Sequence, residues 1–175
     1  MKPRTLLLLS AAVMLAGVVV CIAPAFADTH ADAAPAFVTK IPPQYRDWKF
    51  VSVAREEAPL DDIRVILGND VTIKAYRDGK PSFPDGASIA RLAYGYDASD
   101  ENNQIFGRNG SFVAGHPKNG VQFMVKDSRR YAATGGWGYG QFENGKPVDQ
   151  SKLTGCFPCH QAVQSRDFVF TRYAP

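Results

Sequence analysis

The sequence predicts an α+β fold, formed mainly by an antiparallel β-sheet with a few short helices. Residues 87–96, 121–126 and 137–142 each alternate between two sets of side chains, as strands with two different faces do. Prolines and glycines divide the rest of the chain into short segments, and Pro81 and Pro84 stand just before the first of these strands. Strands separated by such breaks favour antiparallel pairing.

Two short elements are predicted ahead of these strands. Pro42 and Pro43 begin a segment carrying Tyr45 and Trp48, which we expect to form one or two helical turns packed on the core. Residues 64–67 are an apolar run typical of a strand.

A helix is predicted directly after that apolar run. Asn69 and Asp70 are residue types that cap a helix N-terminus, and the helix continues through Arg77. Gly79 is suited to its C-terminal stop.

The later strands are defined by their alternation. In the strand at 87–96, Ile89, Arg91 and Ala93 share one face. In the strand at 137–142, glycines alternate with large side chains, which suggests bulges or the close approach of another group. A short helix is predicted after His160, followed by a closing strand or tail that carries Phe168, Phe170 and Tyr173.

The N-terminus has the pattern of a cleaved export signal. Lys2 and Arg4 precede an apolar core at 6–20, and an AxA-like site at 25–27 marks cleavage before Asp28. An uncleaved anchor is the alternative, since the apolar stretch at 5–22 is about 18 residues long, at the lower limit for crossing a bilayer. The short core and the cleavage site favour removal, and therefore a periplasmic or secreted protein.

The predicted domain organisation follows from this cleavage. Residues 1–27 are the signal peptide, 28–40 a mobile lead-in rich in alanine, and 41–175 one globular domain. The whole chain has a formal net charge of +3, and loss of Lys2 and Arg4 leaves it near +1. Such a weak charge excludes the electrostatic footprint of a nucleic-acid-binding protein.

The most informative motif is CFPCH at residues 156–160, a CxxCH sequence near the C-terminus. Two thiols at this spacing can each add to one vinyl group of a porphyrin, while the adjacent imidazole reaches the iron. Covalent haem c on Cys156, Cys159 and His160 is therefore predicted. Removal of the signal also removes Cys21, so that no structural disulfide is possible.

Two other interpretations of this motif are weaker. A zinc site needs four ligands, and the chain has no second cysteine pair or histidine cluster to complete one. A redox-active disulfide would not require His160 and would follow a strand in a βαβ pattern, which is not seen before residue 153.

The chain resembles the cytochrome P-460 family over residues 41–175. The segments that carry the resemblance are RVILGND at 64–70, FPDGASIARL at 83–92, VQFMVKDSRRYAATGGWGYGQF at 121–142, CFPCH at 156–160 and RDFVFTRYAP at 166–175. The resemblance implies a mainly antiparallel β fold that dimerises, with one haem c held by Cys156 and Cys159 and with His160 as the proximal iron ligand. It also implies hydroxylamine oxidation, or nitric oxide binding as in the related cytochromes c′-beta.

Arg91 is where this sequence departs from the hydroxylamine-oxidising members. In those members a lysine in the strand after the PDG turn is crosslinked to the porphyrin, and Arg91 occupies the matching position. An arginine does not readily lose the proton that such a nucleophile must lose. Arg91 remains the candidate catalytic residue, with a haem propionate partner or a surface charge as the other interpretations, and Lys74, Lys80 and Lys126 are the other lysines considered.

Few residues are available as a second axial ligand. Met124 lies in an apolar strand where core packing is expected, and His116 lies in a segment, GHPKNG, that reads as a solvated loop. A five-coordinate iron that binds or oxidises a small molecule is therefore predicted. The family resemblance implies that this molecule is a small nitrogen species, nitric oxide or hydroxylamine. We also expect a small redox protein as electron partner. The alternative is an electron-transfer cytochrome with Met124 or His116 as sixth ligand.

Overall fold

A computed structural model describes residues 37–174 of the chain and shows one six-stranded antiparallel sheet. The strands follow one another across the sheet in sequence order, so that each pairs with the next along the chain. They are β1 (Lys49–Glu56), β2 (Asp62–Gly68), β3 (Ser88–Ala98), β4 (Phe112–Lys126), β5 (Trp137–Glu143) and β6 (Lys146–Pro147). The predicted α+β class is confirmed.

The helices are short and lie between or after the strands. They are α1 (Asp70–Arg77), α2 (Asp100–Phe106) and α3 (Cys156–His160), together with 3₁₀ turns at Tyr45–Asp47, Ala132–Thr134, Gln150–Leu153 and Gln161–Arg166. Within residues 37–174, no helix is long and apolar enough to cross a membrane.

Helix α1 begins and ends as its sequence predicts. The side chain of Asn69 accepts a hydrogen bond from the backbone N–H of Thr72 at 3.0 Å, which satisfies a free donor of the first turn. Gly79 follows the helix with a φ of 62°, a left-handed conformation that glycine adopts without steric cost. The polar cap and the glycine therefore define α1 locally.

The two faces of the sheet carry two separate cores. On one face, Phe123 and Phe142 pack with Leu92 beneath Tyr45 and Trp48 of the N-terminal segment. The opposite face carries the second buried cluster, which includes Ile66, Ile89, Trp137, Tyr139, Phe168 and Val169. Because the side chains of a strand alternate between faces, the same strands supply both cores.

Strand β4 is much longer than predicted, and the loop assignment of His116 is wrong. The strand runs for 15 residues and includes the GHPKNG segment, although the His116 side chain is exposed, as expected. Within β4, only Val121–Lys126 pairs with β5, so the first part of β4 is an edge. Pro117 is tolerated there because it lies beside register shifts in the pairing with β3.

Other departures from the predicted fold lie at its ends. Strand β1 and helix α2 were not predicted. The C-terminal residues form an extended tail, one of the two forms predicted for them. Val38, inside the predicted lead-in, is buried and donates its N–H to the Tyr139 carbonyl at 2.9 Å. The signal peptide at 1–27 lies outside the described residues and, with the domain boundaries, stays a prediction.

Candidate haem site

A cavity of about 570 Å³ lies between one face of the sheet and the C-terminal segment. The sheet lines it with residues from five strands, β1 to β5, and the C-terminal segment lines it with α3 and the tail. The principal side chains are Arg64, Ile66, Ile89, Arg91, Gln122, Met124 and Tyr139 from the sheet, and Leu153, Cys156, Cys159, His160, Val169 and Phe170 from the C-terminal segment.

The pairing register explains why these sheet residues meet. Ile89 pairs with Met124, which pairs with Tyr139, so that they form one row across the face. Arg91 forms the next row with Ile66 on one side and Gln122 on the other. Directly paired residues point to the same face, so the cavity wall changes from mainly apolar to polar between adjacent rows.

Helix α3 brings the three predicted haem ligands to this cavity. Cys156 and Cys159 are three residues apart and Cys156 and His160 four apart, so that they share one side of a single helical turn. Both cysteines are free thiols. Burial raises the pKa of Cys156, with a smaller contribution from Cys159, and its thiol is therefore protonated at neutral pH.

His160 is held in the tautomer that metal ligation requires. Its Nδ1 lies 2.6 Å from the backbone carbonyl of Phe168, and a carbonyl only accepts hydrogen bonds, so Nδ1 carries the proton. Burial lowers the pKa of His160, partly opposed by this hydrogen bond, which keeps the ring neutral. Nε2 is then left with the lone pair that binds iron.

A buried carboxylate organises the polar end of the cavity. Asp62 is fully buried, and its two oxygens accept from Arg64 and Arg91, each at 2.6 Å. Arg91 also donates to Gln122 at 2.7 Å. Burial and the neighbouring Arg64 lower the pKa of Arg91, while Asp62 opposes the change. With its side chain 19% exposed, Arg91 is part of the cavity wall, and the surface-charge interpretation is wrong.

Tyr139 lines the cavity and carries an unpaired hydroxyl. The residue is 4% exposed, and its hydroxyl is buried without a hydrogen-bond partner among residues 37–174. Burial raises the pKa of Tyr139, so the hydroxyl stays protonated and can donate. Its ring centre lies 5.0 Å from that of His160. An unsatisfied buried hydroxyl is costly, so Tyr139 is a candidate donor to a group bound beside it.

These features fit haem c. The cavity has the size of a cofactor site, its walls include apolar side chains from both sides, and it holds two thiols beside a neutral imidazole. Cys156 and Cys159 would form the thioether bonds, and His160 would bind the iron through Nε2. When bound, the haem would supply a redox-active iron.

The other residues considered from the sequence fall into two groups. Met124 borders the cavity, whereas His116 does not and packs instead against Gly95. Lys74 on α1 pairs with Asp78, just after the helix, and Lys126 is buried against Asp167. Among the lysines of the described residues, Lys152 borders the cavity, and Lys74, Lys80 and Lys126 do not.

Sequence reasoning missed Asp62, Gln122 and Lys152 and gave Tyr139 no role. Tyr139 shares the alternation of its strand with Trp137, and that signal assigns it only to a face. Asp62 precedes the apolar part of β2 and carries no local mark of its role, because its partner Arg91 is 29 residues away.

The fold and the site together define a class of protein, the c-type cytochromes built on an antiparallel β-sheet. The sequence model of the family described as Cytochrome P460 matches residues 42–171. The chain belongs to the cytochrome P460 family, and haem c is its cofactor. The resemblance predicted from the sequence is confirmed. A search of curated proteins found no match.

Proposed function

We propose that this protein is an exported mono-haem cytochrome whose iron, bound by His160, keeps one coordination position open for nitric oxide or hydroxylamine. The observation that carries the proposal is the composition of the cavity wall. A six-coordinate haem iron in an electron carrier has a histidine or methionine as its second axial ligand. Among the described residues that line the cavity, apart from His160, Met124 is the one side chain of either type. Met124 is half-buried and packs against the core cluster that contains Ile89 and Trp137.

The polar row supports a ligand-binding role. Arg91 and Gln122 lie on the cavity wall, and Asp62 holds the guanidinium of Arg91 in place. A fixed guanidinium stabilises negative charge that develops on a bound molecule, and this is the role proposed for Arg91 as a catalytic residue. Arg91 equally suits a haem propionate, because a guanidinium donates two parallel hydrogen bonds to the two oxygens of a carboxylate.

Export, dimerisation and a small redox protein as electron partner complete the proposal. Export rests on the signal pattern at 1–27, and dimerisation and the partner rest on the family. Sedimentation of the purified holoprotein at two concentrations measures the oligomeric state, and a species with the mass of one chain would contradict the dimer.

The spin state of the iron tests the open site. We expect the ferric holoprotein to give a high-spin electron paramagnetic resonance spectrum, and the ferrous holoprotein to bind nitric oxide without displacing a protein ligand. Met124→Leu keeps the volume and apolar character of the side chain but removes the sulfur. It should therefore leave both results unchanged.

The alternative function is electron transfer through a six-coordinate iron. It is favoured by one observation, the presence of Met124 on the cavity wall. A low-spin ferric spectrum that becomes high-spin in Met124→Leu would establish this alternative. His116→Ala is the matched control, since His116 lies away from the cavity lining and should leave the spectrum unchanged.

A further inference from the structure

The backbone just before the C-terminal tail makes a turn at Asp167 and Phe168, here named the 167–168 turn. The φ angles are 51° and 63°, so both residues lie in the left-handed region although neither is glycine. A residue with a Cβ is disfavoured there, and two in succession persist only when their surroundings hold them.

The carboxylate of Asp167 is held from two sides. Lys126 donates from Nζ to one oxygen at 2.7 Å, and the backbone N–H of Phe83 donates to the other at 2.8 Å. Both charged side chains are 9% exposed, so they form a buried ion pair. Breaking one partner of such a pair leaves an uncompensated charge inside the protein.

The backbone of the turn is held as well. The indole N–H of the fully buried Trp137 donates to the carbonyl of Asp167 at 2.8 Å. The ring of Phe168 packs so closely on Gly135 that a Cβ there would lie 2.3 Å from it. These contacts fix the next carbonyl, that of Phe168, which is the acceptor for Nδ1 of His160.

We propose that Asp167 is a positioning residue for the proximal haem ligand, acting through the 167–168 turn. This inference rests on the proposed binding of haem iron by His160. Lys126 ends strand β4, so the ion pair ties the sheet to the carbonyl that orients the His160 ring. A hydrogen bond from Nδ1–H to a fixed acceptor makes the imidazole a stronger donor to a metal. A stronger donor stabilises ferric iron and lowers the reduction potential.

The reduction potential of the holoprotein tests this role. Asp167→Asn keeps the shape of the side chain but removes the charge that pairs with Lys126, which loosens the turn. We expect the potential to rise, with about a tenfold change in the ferric to ferrous equilibrium, or about 59 mV for a one-electron couple. The iron–histidine stretching frequency in the resonance Raman spectrum of the ferrous protein should fall.

Two further variants keep the test decisive. Thr72→Val is the control, because it removes a buried hydroxyl that bonds to Ser88 at 2.9 Å away from the cavity lining. It should lower the unfolding midpoint without moving the potential.

If Asp167→Asn yields too little holoprotein, Trp137→Phe removes one hydrogen bond to the turn without unpairing a charge. It should shift the potential in the same direction by less.

A potential and Raman frequency equal to those of the wild type, in a variant with a lowered unfolding midpoint, would overturn the inference and leave Asp167 a purely structural residue. Nitric oxide binding by the ferrous wild-type protein tests the open site separately, because Asp167 does not line the cavity. The two proposals can therefore fail independently.

Discussion

The residues around the cavity differ in what they offer to a bound group. On the C-terminal side, Cys156, Cys159 and His160 line the cavity with the sulfur and nitrogen atoms that haem c attachment uses. On the sheet side, Arg91 and Tyr139 carry hydrogen-bond donors. A bound haem would therefore be attached from one segment and would meet polar side chains from another.

Replacement of Tyr139 by phenylalanine tests whether its hydroxyl contacts the bound haem or a ligand on it. We expect Tyr139→Phe to change the haem absorption spectrum or the nitric oxide dissociation rate, because Tyr139 lines the cavity and its hydroxyl has no partner among the described residues. Tyr76→Phe is the matched control, since its hydroxyl already donates to the Thr171 carbonyl at 3.0 Å. The control should lower the free energy of unfolding by about 1 kcal/mol without a spectral change. Identical spectra and dissociation rates for Tyr139→Phe and the wild type would exclude this contact.

At the level of elements, α3 is one helical turn, and the helix itself sets the spacing of the candidate haem-binding side chains. Its five residues present two thiols and an imidazole on one side, and the carbonyl of Phe168 in the 167–168 turn orients the imidazole. Strand β3 plays the complementary part, because Arg91 reaches the cavity by its register with β2 and β4.

The two cysteines of α3 predict two thioether bonds to one haem. The mature holoprotein should have the mass of the chain plus one haem, and haem should stay on the chain in denaturing electrophoresis. Cys156→Ala and Cys159→Ala should each retain one covalent bond, and the double variant none. Complete removal of haem from the wild-type protein by acid acetone would contradict covalent attachment.

The arginine at position 91 of β3 predicts that the haem macrocycle carries no crosslink from this strand position. A tryptic digest should yield a single haem-linked peptide, the one containing Cys156 and Cys159, because arginine retains its proton. Lys152 borders the cavity and is the lysine to examine in that digest. A second haem-linked peptide would show that a crosslink forms and would strengthen the case for hydroxylamine oxidation.

Over the whole molecule, the sheet separates a structural face from a functional face. The face covered by Tyr45 and Trp48 is closed by aromatic packing, including a Tyr45–Phe123 contact with ring centres 5.1 Å apart. The other face forms one wall of the cavity. At the polar end of that wall, Asp62 on β2 pairs with Arg91 on β3. This network joins residues distant in sequence and contributes to both stability and the site.

Asp62→Asn should destabilise the protein strongly. The carboxylate side chain is 1% exposed and bonds to two guanidinium groups, so its loss leaves partly buried positive charges without a partner. We expect the free energy of unfolding to fall by about 3 kcal/mol in denaturant titrations. Asp70→Asn, which breaks the exposed pair with Lys49, should cost less than about 1 kcal/mol. Equal effects of the two substitutions would refute the structural role of Asp62.

The sequence by itself determined the features that depend on neighbouring residues. The cap at Asn69, the stop at Gly79 and the alternation of β3 and β5 were all predicted, because each follows from spacing over a few residues. The CFPCH motif is local in the same way, since one helical turn sets its geometry. The family resemblance supported the cofactor that this motif predicts, because long matched segments are more specific than any single motif.

Only the tertiary structure decided which distant residues meet. Asp62 and Arg91 are paired by strand register, Phe168 reaches His160 through the 167–168 turn, and Tyr139 borders the cavity because β5 pairs with β4. The loop predicted at His116 became a strand because β3 offers backbone partners there, at register shifts that accommodate Pro117. Such contacts depend on pairing partners far along the chain, and the pattern of neighbouring residues does not identify those partners.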